Sequence, residues 1–306
     1  MAFKVLASDT LAAASIAAMR DAGLEVDEKT GLSVDELKAE IGAYDAIVIR
    51  SATKVRAEII DAAANLKLVV RAGVGLDNVD VEYAKTKGVE VRNTPAASSN
   101  SVAELALGHI LSLARHIGRG TASMKAGNWE KKQLKGIEIE GKTLGIVGIG
   151  RIGQMLARKA VALGMRVICH DAYLTESPIP DTAPMVGFDE LIAESDFISL
   201  HIPFDPAVGA TFGAVQFASM KDGVRLVNCA RGGVVDETAL VDAIQSGKVA
   251  GAALDVFESE PASPDHPLFS LDAVSFTPHI GASTVEAQTR VGREAAQIVI
   301  DFAKSQ

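Results

Sequence analysis

The chain has 306 residues, 48% of them hydrophobic but only 5% aromatic, and a formal net charge of −9. That length holds two domains of ordinary size, and a core short of aromatics must be packed by Ala, Val, Ile and Leu, as in parallel sheets buried on both faces. The acidic balance excludes the basic field of a nucleic-acid or anionic-membrane binder; no run reaches the roughly 18 apolar residues of a membrane span, and the start turns polar too early for a secretory signal, so a cytoplasmic protein is expected.

Short apolar runs then alternate with helical patterns. Residues 3–7 read as the first strand, followed by an Ala-rich helix near 10–22. Strands at 46–49, 68–70 and 89–91, with a helix near 57–64, continue a rhythm that predicts a parallel sheet. A single long helix is expected from Ser101 to about Lys125, capped by Asn100 or Ser99, with Glu104 where the helix dipole favours an acid. The segment 127–132 breaks the pattern and carries Trp129, the one tryptophan, which reads as packing or as interface.

A second series begins at Lys142. Strands are expected at 144–147, 166–169, 197–200, 225–228, 251–254 and 273–276, and the proline-rich stretch 174–187 reads as a surface loop. The last helix, near 284–304, follows the sixth of these strands and is expected to return to the first domain. The fold class is therefore α/β, with two doubly wound parallel-sheet domains: a smaller, flavodoxin-like one of residues 1–95 plus 284–306, and a Rossmann one of residues 96–283. Cys169 and Cys229 follow apolar runs without metal-like spacing and read as buried free thiols in a reducing compartment.

The string GIGRIG at 148–153 follows a strand and opens a helix. In that context Gly148 permits the tight turn, Gly150 lets a pyrophosphate approach the backbone, and Gly153 lets helix and strand pack closely. Asp171, at the end of the next strand, is placed to accept hydrogen bonds from the adenosine ribose. It would repel a 2′-phosphate and no Arg or Lys follows it directly, so NAD is expected rather than NADP.

A dehydrogenase needs an acid–base group, a cation for the substrate and a partner that fixes the ionisation state of the first. Of six histidines, His279 and His201 follow strands, His109 and His116 fall in the long helix, His170 adjoins the ribose acid and His266 lies in a proline-rich loop. Arg231 and Glu260 follow the two strands before His279. All three thus stand at strand ends, the edge where ligands bind in open α/β sheets, and a carboxylate near an imidazole favours its protonated form.

These residues resemble the D-isomer-specific 2-hydroxyacid dehydrogenases over nearly the whole chain. The strings that carry the resemblance are RSATKV at 50–55, RAGVGLDNVD at 71–80, GIGRIG at 148–153, NCARGGVVDE at 228–237, LDVFESEP at 254–261 and PHIGAST at 278–284. It implies that Arg231 orients the substrate carboxylate and carbonyl, that His279 is the general acid–base, and that Glu260 is its partner. It places Arg151 and Ile152 at the pyrophosphate, Cys229, Ala230 and Asp255 at the nicotinamide pocket, and Pro203 among the cofactor contacts. Ala72, Gly73 and Val74 would contact substrate and cofactor across a cleft between the sheets.

The resemblance is strongest to members that oxidise D-3-phosphoglycerate. Arg50 and Arg71, after first-domain strands, would then hold the phosphate through paired N–H donors, with Lys54 a weaker candidate and Lys131 and Lys132 reaching a neighbouring subunit. Alternatives are a glyoxylate or hydroxypyruvate reductase, another D-2-hydroxyacid dehydrogenase such as a D-lactate enzyme, and an NAD-sensing corepressor. Val74 stands where relatives often have Thr, Ser259 where a second acid is common, and Ala172 where Pro is frequent; none of these removes a proposed catalytic group. The resemblance also implies a homodimer or larger homo-oligomer and, from the end at Gln306, no feedback through a C-terminal regulatory extension.

Overall fold

A computed structural model describes residues 2–306. The chain runs β1 (Lys4–Ala7), α1 (Ala13–Asp21), β2 (Glu25–Glu28), α2 (Val34–Ile41), β3 (Ala46–Ile49), α3 (Ala57–Ala62), β4 (Leu68–Arg71), α4 (Val81–Thr86) and β5 (Glu90–Asn93). It continues through α5 (Ser99–Arg115), α6 (Ile117–Lys125), β6 (Thr143–Val147), α7 (Arg151–Ala162), β7 (Arg166–His170), α8 (Phe188–Glu194) and β8 (Phe197–Leu200). It ends with α9 (Ala214–Ser219), β9 (Val224–Asn228), α10 (Glu237–Gln245), β10 (Val249–Leu254), β11 (Val274–Phe276) and α11 (Val285–Lys304). Two compact units result: one holds the residues up to Ser98 together with Ala282–Gln306, the other Ser99–Gly281. The first break falls three residues later, and the second two residues earlier, than the sequence alone places them.

In the first unit five parallel strands are ordered β2-β1-β3-β4-β5. Alternate residues face opposite sides, as the period of a strand requires. Val5, Ala7, Ala46, Val48, Leu68 and Val70 pack with α11 residues such as Val291, Ala295 and Val299. Leu6, Ile47, Ile49 and Val69 pack on the other side with Leu37, Ile41, Ile59 and Ile60. The return of α11 is close: a Cβ on Gly292 would lie 2.5 Å from Ser15 Oγ on α1. Sequence reading passed over β2, because Val26 alone of its residues is buried. It also passed over α2, an eight-residue helix held by a Ser33–Glu36 capping box.

The second unit's six strands are ordered β11-β10-β9-β8-β6-β7, all parallel. An isolated parallel bridge from Cys169 to Met185 continues the sheet beyond β7. Counting that bridge as a strand gives the dinucleotide-fold order, in which the direction of winding reverses between β6 and β8. The proline-rich stretch before Met185 reduces this position to a single bridge.

The long helix is not continuous. It breaks at His116, whose φ is +54°, and resumes as α6. The cause lies outside the helix: the Ala114 carbonyl accepts the Ile137 N–H at 2.9 Å, and Gly136 passes so close that a Cβ there would lie 2.4 Å from that oxygen. α5 itself packs on α7 and along β9, β10 and β11.

Candidate active site

The glycine loop is built by contacts that exclude side chains. Gly148 has φ +94°, and a Cβ on it would lie 2.5 Å from the His201 carbonyl oxygen at the exit of β8. A Cβ on Gly153 would lie 2.3 Å from the Gly148 carbonyl. Gly150 differs: among the described residues nothing stands within 4 Å of its would-be Cβ. That open space adjoins the start of α7, which no side chain caps. A helix N-terminus of this kind offers N–H groups and positive potential to a phosphate. Arg151 and Ile152 occupy its first turn, the former exposed.

Asp171 follows β7. Its Oδ2 accepts the Ile149 N–H and its Oδ1 the Tyr173 N–H, each at 3.0 Å. The carboxylate is thereby tied to the glycine loop, and each oxygen keeps a lone pair for a ribose hydroxyl. Pro203 is exposed beyond β8. These features fit a dinucleotide.

Three neighbouring strands carry the reactive groups at their exits. After β9, Asn228 shapes the turn: its Oδ1 accepts the Ala230 N–H at 3.0 Å and its Nδ2 donates to the Arg231 carbonyl at 2.9 Å. Cys229 and Ala230 are buried within this turn, and burial pushes the Cys229 thiol up, out of reach of thiolate chemistry. Arg231 Nη1 donates to the Ala230 carbonyl at 2.7 Å. The following Gly232 lets the loop press on the exit of β10, where a Cβ would lie 1.8 Å from the Phe257 carbonyl.

At that exit, Glu260 Oε1 accepts the Phe257 N–H at 3.1 Å and Oε2 lies 2.6 Å from His279 Nδ1. Nδ1 therefore carries a proton, and Nε2 is the nitrogen left for substrate chemistry. Burial opposes ionisation of Glu260. The bonds from His279 and Phe257, with the charges of His279 and Arg231, outweigh it and hold the carboxyl below its ordinary range. For His279 the bond to Glu260 acts first and raises it above the ordinary histidine value; the Asp255 charge adds to this, while burial and Arg231 oppose it. A cavity of about 560 Å³ adjoins the pair, walled by Phe257, Phe269 and Phe276.

Asp255, expected at the nicotinamide, is 1% exposed. Its carboxylate accepts the Thr277 hydroxyl at 2.6 Å, the Ile280 N–H at 2.8 Å and the Gly281 N–H at 2.9 Å. It thus holds the turn that carries His279. A second clamp lies behind Glu260: Glu237 accepts the Glu258 N–H at 2.9 Å and lies 2.8 Å from His266 Nε2. Sequence reading missed both clamps, since their bonds run to backbone N–H groups or to distant side chains. His201 is set apart from proton work, because burial lowers it to about 4 and leaves Nδ1 without a partner among the described residues.

The first unit places Arg50 and Arg71 at the exits of the adjacent strands β3 and β4. The backbone around Arg50 is fixed: Asp9 accepts the N–H groups of Arg50 and Thr53, and Asn78 Nδ2 donates to both of their carbonyls at 2.7 Å. Arg50 lines a cavity of about 540 Å³ with Thr10, Thr284 and Gln288. Beyond Arg71, the Gly73 carbonyl accepts the Thr94 N–H at 3.0 Å and the Val74 carbonyl accepts Asn93 Nδ2. Ala72 is buried, and Gly73 has φ +149°, a backbone conformation that residues with side chains rarely adopt.

Comparison with known proteins bears on this geometry. A profile of the D-isomer specific 2-hydroxyacid dehydrogenase NAD binding domain matches residues 107–281. The chain is 53% identical over 268 residues to the hydroxypyruvate reductase of Thermotoga maritima, covering 87% of each. It is 48% identical over 302 residues to the D-3-phosphoglycerate dehydrogenase of Archaeoglobus fulgidus, covering 98% of this chain and 57% of that one. It thus spans little more than half the length of that relative. The structure of D-lactate dehydrogenase from Aquifex aeolicus, complexed with NAD and lactic acid, is similar with a TM-score of 0.86 at 31% identity, over 99% of this chain and 96% of that one.

Proposed function

The chain belongs to the D-isomer specific 2-hydroxyacid dehydrogenase family, and from that premise we propose that it oxidises D-3-phosphoglycerate to 3-phosphohydroxypyruvate, the opening step of phosphorylated serine synthesis. The observation that carries the hydride-transfer chemistry is the 2.6 Å Glu260–His279 pair beyond β10 and β11, with Arg231 beyond β9, the strand beside β10.

NAD supplies the hydride acceptor. Gly148, Gly150, Arg151, Ile152 and Gly153 would hold its pyrophosphate and Asp171 its ribose, with Cys229, Ala230 and Asp255 toward the nicotinamide and Pro203 and Val74 as further cofactor contacts. In oxidation, His279 Nε2 takes the hydroxyl proton, and Glu260 stabilises the imidazolium that forms. In reduction, the protonated ring returns that proton to the carbonyl oxygen. Arg231 binds the carboxylate and polarises the carbonyl. The same reading assigns Arg50, Arg71, Ala72 and Gly73 to the substrate, the two guanidinium groups receiving the phosphate.

A second reading is favoured by the 53% identity to a hydroxypyruvate reductase. It uses the same catalytic trio on an unphosphorylated keto acid. Steady-state rates on phosphorylated and plain 2-hydroxy and 2-keto acids, with NAD and NADP, separate the two. The first reading requires D-3-phosphoglycerate and NAD to give the highest kcat/KM. A clear preference for hydroxypyruvate or glyoxylate establishes the second, and absence of turnover on every acid overturns both.

We also place the protein in the cytoplasm as a homodimer or larger homo-oligomer. Two buried free thiols accord with a reducing compartment, and exposed Ile117, Met124 and Trp129 supply apolar surface for a second copy. No described helix is long and apolar enough to cross a membrane.

A further inference from the structure

His109 has no part in the chemistry above, yet it is buried on α5 with Nε2 3.1 Å from Thr277 Oγ1. The Thr277 hydroxyl donates to Asp255 Oδ1 at 2.6 Å. A hydroxyl has one proton, so Oγ1 must accept from His109, whose proton then resides on Nε2. Burial holds His109 below the ordinary histidine range against the pull of the Asp255 charge, and a neutral ring with one N–H meets the requirement of this contact.

The far end of the chain of bonds is the catalytic turn. Asp255 Oδ1 and Oδ2 accept the N–H groups of Ile280 and Gly281, the two residues after His279. The His279 N–H goes to the Asp255 carbonyl at 2.8 Å. His279 itself has φ +51°, a conformation that a non-glycine residue keeps only where its surroundings impose it. Gly281 fits tightly between these partners, since a Cβ would stand 3.1 Å from Asp255 Oδ2 and 3.3 Å from Val102 on α5 and would press on both.

We propose that His109 and Thr277 are positioning residues which, through Asp255, set the left-handed turn carrying His279 and hence its alignment with Glu260. The inference rests on the reading of His279 as the acid–base group. It differs from a packing role for His109 in one respect: the relay makes the ionisation of His279 depend on a hydroxyl and an N–H that never touch it. The charged groups that reach His279 are Glu260 and Asp255 from the exit of β10 and Arg231 from the exit of β9. Loosening the turn weakens the contact with Glu260, the largest influence holding His279 protonated, so its pKa falls.

The test is the imidazole titration of His279 by NMR in the free full-length protein, with kcat and KM in parallel. Thr277→Val removes the hydroxyl at nearly constant volume, and Thr277→Ser keeps it; His109→Leu removes the donor, and His109→Gln keeps one. The Val and Leu variants are expected to lower the His279 pKa by about half a unit or more and kcat by about 10-fold, the scale of a small misplacement of a reacting group. KM should change little, and the Ser and Gln variants should stay near wild type. If Thr277→Val or His109→Leu does not fold, the other decides. An unmoved His279 titration in a folded Val or Leu variant overturns the relay, as does an equal shift in the Ser and Gln variants. Wild-type protein that titrates as described but turns over no 2-hydroxy or 2-keto acid leaves the relay standing and removes the functional reading.

Discussion

Charged side chains stand at strand exits in both units, but the two sets are built differently. At β9, β10 and β11 the side chains hold one another and the turns beneath them: Glu260 grips His279, Asp255 grips the two residues after it, and the Arg231 charge reaches both members of the pair. At β3 the backbone is what is held. Asp9 and Asn78 fix the loop around Arg50, whose guanidinium makes a 3.3 Å bond to the Thr10 carbonyl. In the first arrangement the ionisation of each group is set by its neighbours before any ligand arrives, which is what the proposed reaction asks of them. In the second a cation stands on a firm loop, on a side chain that can be exchanged without rebuilding the fold.

Substitutions on the two sides probe this difference. The largest effect is expected from Arg231→Ala, which removes both anchor and polarising charge. It should lower kcat/KM by about 10³-fold, the scale of a lost oxyanion donor, on phosphorylated and plain acids alike; wild-type efficiency in this variant takes Arg231 out of the site. Asp171→Ala removes a charged acceptor from the expected ribose site and should weaken NAD binding about 10-fold or more, measured by calorimetry. An unchanged NAD affinity removes the acid from the cofactor site.

Arg50→Ala should cost about 10-fold on a phosphorylated substrate, the value of a charge-assisted hydrogen bond, and little on an unphosphorylated one. Equal losses on both would mean that Arg50 only secures its loop. The smallest expected effect is a displacement along the pH axis. His279 lies above its ordinary 6.5 because of Glu260. Reduction needs the protonated ring, so its kcat/KM should fall as pH rises through this raised value, while oxidation gains over the same range. Glu260→Gln removes the charge that raises it, so both limbs should move to lower pH. Limbs that stay in place show that another group titrates in the profile.

What the sequence disclosed follows the same division. The glycine loop was legible because each residue answers to local geometry within one strand, turn and helix. The trio was legible because strand exits recur at readable intervals. Bonds between distant residues were not. His109 sits in a helical pattern that says nothing of Thr277, 168 positions away. The hold of Asp255 on the turn was not legible either, because its partners are largely backbone N–H groups, which no side-chain code displays. The break at His116 escaped notice for the same reason, since Ile137 takes a carbonyl from a helix end it does not adjoin in sequence. A strand with Val26 as its sole buried residue offers no hydrophobic period to detect.

The proposed chemistry depends on His279 as the group that moves the proton. Turnover of wild type and His279→Ala with NAD and the preferred acid, alongside the NAD affinity of both, tests it most directly. If His279 has this role, kcat falls about 10²-fold or more while NAD affinity stays within a few-fold of wild type. Near-wild-type turnover in a variant that still binds NAD would contradict it.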